Sequence, residues 1–166
     1  KPQELVFLSG VVPGFNLAAR AFTQPGDGLL IQTPVYPPIL HAAENSGLLS
    51  QAMELTRRDD GSYEIDFDLF ARMPDRRTAM FLLCNPHNPV GRVFRQDELE
   101  RMAEICLQHH VIICSDEIHG DLIFSGAQHR PIASLAPEIE ARTITLMAPS
   151  KTFNIAGLDC SFAIIP

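Results

Sequence analysis

"TAMFLLCNPHNPVG", residues 78–91, is the stretch on which the reading of the fold turns. From Ala79 to Cys84 it is apolar at every position. A strand with one wet face alternates apolar and polar residues. A continuous apolar run suits a parallel strand with helices on both faces. The second half holds two Asn-Pro pairs and a glycine, which end the strand in a turn. The polar residues of that turn therefore stand at the carboxyl end of a buried strand.

Outward from this run, apolar segments of strand length alternate with helical ones. "ELVFLS" (4–9), "GLLIQT" (28–33) and "LLSQAMEL" (48–55) read as strands, as do "VIICS" (111–115), "TITLMA" (143–148) and "SFAIIP" (161–166). "GFNLAARAF" (14–22) reads as a helix. "PPILHAAENSG" (37–47) reads as another, with proline at its start and glycine at its end. "DGSY" (60–63) is a turn and "DFDLFARM" (66–73) a short helix. The clearest helix is "QDELERMAEICLQHH" (96–110). Its Leu99, Met102, Ala103 and Cys106 form one apolar stripe, and Asp97 and Glu98 sit in its first turn. The alternation predicts an α/β fold with a mostly parallel sheet.

The 166 residues, 46% of them hydrophobic, suffice for one domain with a core. A net charge of −7 with no basic run argues against nucleic-acid binding. No apolar run approaches a membrane span, and no signal peptide is visible. Cys84, Cys106, Cys114 and Cys160 form no C-x-x-C pair, and three lie in apolar runs, as expected of reduced thiols in a cytoplasmic protein. The six histidines lack metal-ligand spacing. The chain opens on Lys1 rather than methionine and stops inside an apparent strand. It is therefore expected to be part of a longer protein.

In parallel sheets ligands sit at the carboxyl ends of the strands. There, Ser9 and Gly10 lead into a helix start, which is either a plain turn or a cradle for an anion. Tyr36, in "TPVYPP", is either a surface aromatic or a stacking platform. The asparagines of "NPHNPVG" either shape the turn or donate to a ligand. Asp116, after "VIICS", is either solvated or paired with a buried cation, with His119 in reach of the same space. Glu117 is expected to face away. Lys151 follows "TITLMA"; the only other lysine is Lys1, and the remaining eleven basic residues are arginines. A lysine in a partly apolar pocket becomes nucleophilic and suits Schiff-base chemistry; the alternative is a rim ion pair. Taken together, these are the parts that pyridoxal 5'-phosphate requires: phosphate site, ring stack, donor to the phenolic oxygen, acid for the ring nitrogen and amine for the aldehyde.

The order "TPVYPP … NPHNPVG … SDEIH … SKTFNIAGL" resembles the large domain of the fold-type-I pyridoxal-phosphate enzymes, aminotransferase class I/II, over about residues 5–166. "NPHNPVGRVF", "SDEIHGDLIF" and "APSKTFNIAGL" are similar to the MalY/PatB-type cystathionine β-lyases. The resemblance implies that Lys151 holds the cofactor aldehyde and then takes the Cα proton. It implies that Asp116 pairs with the ring nitrogen and stays ionised with a lowered pKa. Asn88 bonds the phenolic oxygen, Tyr36 stacks on the ring, and backbone N–H groups near Val11 and Val12 hold the phosphate, with Ser150 assisting. His119 stands where many aminotransferases have tyrosine, Ala148 where many have a phosphate-binding serine, and Asp159 where many have an arginine.

The resemblance also implies that residues 1–166 are a cofactor-binding large domain, an α/β three-layer sandwich around a mostly parallel, seven-stranded mixed sheet, with an N-terminal segment and a C-terminal small domain outside it. A homodimer with a shared site follows, and a substrate-carboxylate arginine beyond this chain. The expected activity is cleavage of cystathionine or related S-substituted cysteines to thiol, pyruvate and ammonia, with the isolated segment inactive. An aminotransferase is the first alternative. A non-catalytic regulatory or interaction module on the same fold is the second.

Overall fold

The computed structural model describes all 166 residues. A 3-10 turn (2–4) leads into β1 (Leu5–Leu8), α1 (Val11–Phe22) and β2 (Gly28–Thr33). Next come α2 (Pro37–Leu40), α3 (Ala42–Ser46), β3 (Leu49–Glu54), β4 (Thr56–Arg57), β5 (Tyr63–Glu64) and α4 (Phe67–Arg72). Then β6 (Thr78–Cys84), α5 (Gln96–Gln108) and β7 (Ile112–Asp116) form the centre. Two further 3-10 turns (132–134 and 156–158) flank α6 (Pro137–Glu140) and β8 (Thr143–Met147), and β9 (Ser161–Ile164) completes the chain's strands.

Seven strands form one mixed sheet in the order β1-β9-β8-β7-β6-β2-β3. The pairs from β3 to β8 are parallel, and β9 is antiparallel to both β8 and β1. β4 and β5 make a separate hairpin. The apolar run of β6 splits by strand parity between two cores. Met80, Leu82 and Cys84 join Val11, Phe15 and Ala18 of α1 and Ile39, Ala42 and Ala43 of α2 and α3. Phe81 and Leu83 join Phe70 of α4, Leu99, Met102 and Cys106 of α5, and Ile139 of α6. This is the expected three-layer arrangement, and it explains why no position of the run is polar.

Three boundaries differ from the sequence reading. The helix over 37–47 is broken at His41 into two short ones, Pro37–Leu40 and Ala42–Ser46. Gly47 does close it, in the left-handed region (φ 71°). α1 starts at Val11 rather than Gly14, and β7 runs one residue further, through Asp116. Cys84, Cys106 and Cys114 are buried and Cys160 is exposed, all as free thiols. No helix is long and apolar enough to cross a membrane.

Phe81 is fully buried and meets the Phe70 ring edge-on, with centroids 5.2 Å apart. Phe81→Ala is therefore expected to lower the unfolding free energy by about 3–5 kcal/mol, read from urea midpoints. Phe7→Ala on β1, where the side chain is 77% exposed, should shift it by no more than about 0.5 kcal/mol.

Candidate active site

β6, β7 and β8 end abreast. Cys84 pairs with Asp116, and Asp116 with Leu146. One residue further, the Asn85 N–H donates to the Asp116 carbonyl and the Glu117 N–H to the Leu146 carbonyl, both at 2.9 Å. The turn after β6, the acid of β7 and the lysine turn after β8 thus leave from one edge. α1 begins over the same edge: a Cβ on Gly14 would lie 3.0 Å from Leu8 Cδ1 and 3.3 Å from Leu146 Cδ2. Glycine here lets the helix close on β8. Pro13 has no N–H and the Gly14 N–H bonds the Gly10 carbonyl at 3.0 Å. Val11 and Val12 therefore carry the two N–H groups at the helix start.

Asp116 is 5% exposed and sits on the α1 side of the sheet, the side of Cys114. Its carboxylate accepts one protein hydrogen bond, from the Ile118 N–H at 3.2 Å. Burial pushes it up to about 6; the Ile118 N–H and the positive charge of Lys151 oppose this, and Glu117 adds to it. Desolvation dominates among the groups of the chain itself; the lowered value expected from the sequence belongs to the carboxylate paired with the ring nitrogen. Lys151 is exposed, on the turn that follows β8, rather than in a partly apolar pocket. Its charge also reaches His119, whose imidazole is pushed down first by burial and then by that lysine. Ser150, half-buried, precedes it on the same turn.

The turn after β6 divides its polar residues between two tasks. Asn85 is fully buried, and its Oδ1 accepts from the Phe94 N–H at 3.1 Å. His87, 1% exposed, sits between the Cys84 carbonyl (3.1 Å from Nδ1) and the Pro34 carbonyl (2.8 Å from Nε2). Burial pushes this imidazole down despite both carbonyls. These two residues hold the turn, and Asn88 is left half-buried at its tip. The Asn88 carbonyl accepts from the Tyr36 N–H at 2.9 Å, which ties the β2 loop to the β6 loop. Tyr36 itself is 39% exposed. Asn88 and His119 line a common cleft of about 570 Å³, together with Val93, Leu122 and Phe124. Asp116, Lys151 and Tyr36 do not line it; they lie along the strand edge beside it.

The sequence reading did not identify His87 or Asn85 as the braces of this turn. It also missed the surroundings of Glu117. That side chain faces the α5 side, wholly buried, and its carboxylate accepts from Ser115 Oγ (2.9 Å), His129 Nε2 (2.9 Å) and the Ile132 N–H (3.3 Å). The only hint in the sequence is the polar character of three consecutive residues, 115–117, at the end of an apolar strand.

Residues 1–166 match the family Aminotransferase class I and II. The chain belongs to that family. Cystathionine beta-lyase PatB of Bacillus subtilis is 45% identical over 166 residues, covering 99% of this chain and 43% of the relative. The structure of cystalysin from Treponema denticola, described as containing a pyridoxal 5'-phosphate cofactor, superposes with a TM-score of 0.96 at 43% identity, over 99% of this chain and 42% of that one. A PLP-bound putative aminotransferase from Clostridium difficile gives a TM-score of 0.95 at 42% identity, over 100% and 43%. The chain thus spans about two fifths of the length of these family members.

The raised Asp116 sets a pH dependence. A carboxyl whose folded value lies above its ordinary 3.8 contributes stability below about pH 4, and this is lost as pH rises through about 6. In cofactor-free protein, Asp116→Asn should raise stability at pH 8 by roughly 2–3 kcal/mol. The gain should vanish toward pH 4, as followed by urea midpoints across that range.

Proposed function

We propose that this chain is the cofactor-binding large-domain part of a pyridoxal-phosphate-dependent carbon–sulfur β-lyase. It would act on cystathionine or related S-substituted cysteines and release thiol, pyruvate and ammonia. The observation that carries the reading is Asp116: a buried acid on the strand edge with one hydrogen bond, charge-coupled to Lys151, beside the cleft that holds Asn88. The choice of lyase over aminotransferase is supported by the 45% identity to PatB.

The residues present fit the cofactor. The Asp116 carboxylate has unspent acceptor capacity and gains from any cation brought beside it. Val11 and Val12 offer backbone N–H groups at the positive end of a twelve-residue helix. When bound, the cofactor supplies an aldehyde for the amino group and a ring that takes up the electron pair left on Cα. Lys151 would hold the aldehyde at rest and, once displaced, accept the Cα proton at Nζ. Asp116 would keep a proton on the ring nitrogen. Asn88 would donate from Nδ2 to the phenolic oxygen, Tyr36 would cover one ring face, and Val11, Val12 and Ser150 would bind the phosphate. His119 would stand beside Asn88 at the cleft mouth. The exposed apolar side chains of Phe124, Phe153 and Leu158 support a second subunit over this edge, in a soluble cytoplasmic homodimer.

The test uses the full-length protein with pyridoxal phosphate and L-cystathionine, with the visible cofactor band and pyruvate followed together. The expected result is a band and pyruvate in the wild type, and loss of both in Lys151→Ala, with turnover down by roughly a thousandfold or more. A band without pyruvate, but with keto-acid-dependent amino transfer, would move the assignment to aminotransferase. Absence of the band in the wild type would sink the cofactor reading.

A further inference from the structure

Between β7 and the 3-10 turn at 132–134 the chain runs through residues 117–131 without regular secondary structure. This segment supplies one wall of the 570 Å³ cleft, through His119, Leu122, Phe124, Gly126 and Ala127, opposite Asn88. Its two ends are joined beneath the wall by a single buried carboxylate. Glu117, at the start, accepts from His129 Nε2 and from the Ile132 N–H at the far end, and Ser115 Oγ fixes it from the strand. The Glu117 side chain has no exposed surface and that of His129 is 9% exposed. The imidazole packs against Gly120, where an added Cβ would stand 2.9 Å from its Cδ2 and 3.0 Å from its Nε2. Gly120 needs no unusual backbone angle; what it provides is room for the ring.

We infer that Glu117, His129 and Gly120 form a latch that positions the wall of the cleft, and that this wall selects the S-substituent of the substrate. The inference rests on the lyase reading for the identity of that substrate. The cleft is of a size that takes a substituent of several heavy atoms. It is lined by Leu122, Phe124 and Val93 and lies beside Asp116 and Lys151 rather than around them. A group extending from the β-sulfur would enter it, while the amino-acid end stays on the strand edge. The latch residues are positioning residues: they touch the loop and not the reacting atoms.

The test compares L-cystathionine, which carries a long substituent, with β-chloro-L-alanine, which carries none, in full-length holoenzyme. His129→Ala and Gly120→Ala should lower kcat/KM for cystathionine by about ten- to a hundredfold, chiefly through KM. The same variants should leave β-chloroalanine turnover and the cofactor band near wild type. His129→Gln, whose amide nitrogen can occupy the Nε2 position, should restore cystathionine cleavage. Amide exchange within 118–128 should rise about tenfold or more in the two disruptive variants, with β7 and α5 still protected. Equal losses on both substrates, no loss on either, or unchanged exchange in 118–128 would overturn the latch. If His129→Ala does not fold, Gly120→Ala carries the same comparison. A wild type that makes no pyruvate from either substrate would defeat the lyase reading alone, and the exchange result would then decide the latch.

Discussion

Everything at the candidate site depends on the register of three parallel strands. Cys84, Asp116 and Leu146 lie abreast, and the next backbone hydrogen bonds carry the pairing one residue past the strand ends. The turn with Asn88, the acid and the lysine turn therefore leave the sheet at one level. A slip of one residue in β7 would exchange the faces of Asp116 and Glu117. The acid with three donors waiting on the α5 side would be lost to that network, and the sheet would present a different carboxylate to the α1 side. The two cores guard against this. Ile113 belongs to one and Cys114 to the other, so a slipped strand would carry the whole parity of β7 to the wrong layers.

Two neighbouring acids thus acquire opposite characters from strand geometry alone. Glu117 receives three hydrogen bonds and has little capacity left. Asp116 receives one, at similar burial, and responds by a raised proton affinity. A buried carboxylate with unspent acceptors is poised for a cationic partner, whereas a saturated one is part of the framework. Position separates Asn85 from Asn88. The first spends its oxygen on the backbone of the turn, and the second stands at the tip facing the cleft.

Much of this was legible in the sequence, because strand parity and helix periodicity write themselves into apolar spacing. β6 and α5 stand almost to the residue in the apolar pattern, and the mostly parallel sheet follows from the alternation of strands and helices. The end of β7 falls one residue beyond the sequence reading because Asp116 is polar, though it is buried. Polarity marks a strand end only when the residue meets solvent, and this one meets other protein groups. The break at His41 was hidden by a strong start and stop signal on either side of it. His87 and His129 were invisible as braces, since one is fixed by a carbonyl 53 residues away and the other by a carboxylate 12 residues away. Such contacts are made by the fold and leave no local pattern. The direction of the Asp116 shift in the chain alone has a related origin: it depends on how many donors the finished structure brings to a buried oxygen.

The separation between strand edge and cleft wall bears on how one edge can serve different reactions. PatB and the Clostridium putative aminotransferase are similar to this chain to nearly the same degree, 45% and 42%. In the proposed reaction the edge holding Asp116, Asn88 and Lys151 would prepare proton removal at Cα, a step that elimination and amino transfer share. The branch between them is set further out, by whether the Cβ–S bond is held so that its electrons can leave. On the inference drawn above, that orientation would be set by the wall of the cleft, and in this chain the wall is a loop whose two ends meet on one buried glutamate. Selectivity can then change through residues 118–128 while the chemistry of the edge stays fixed, which is the economy expected when function is carried by loops on a rigid sheet.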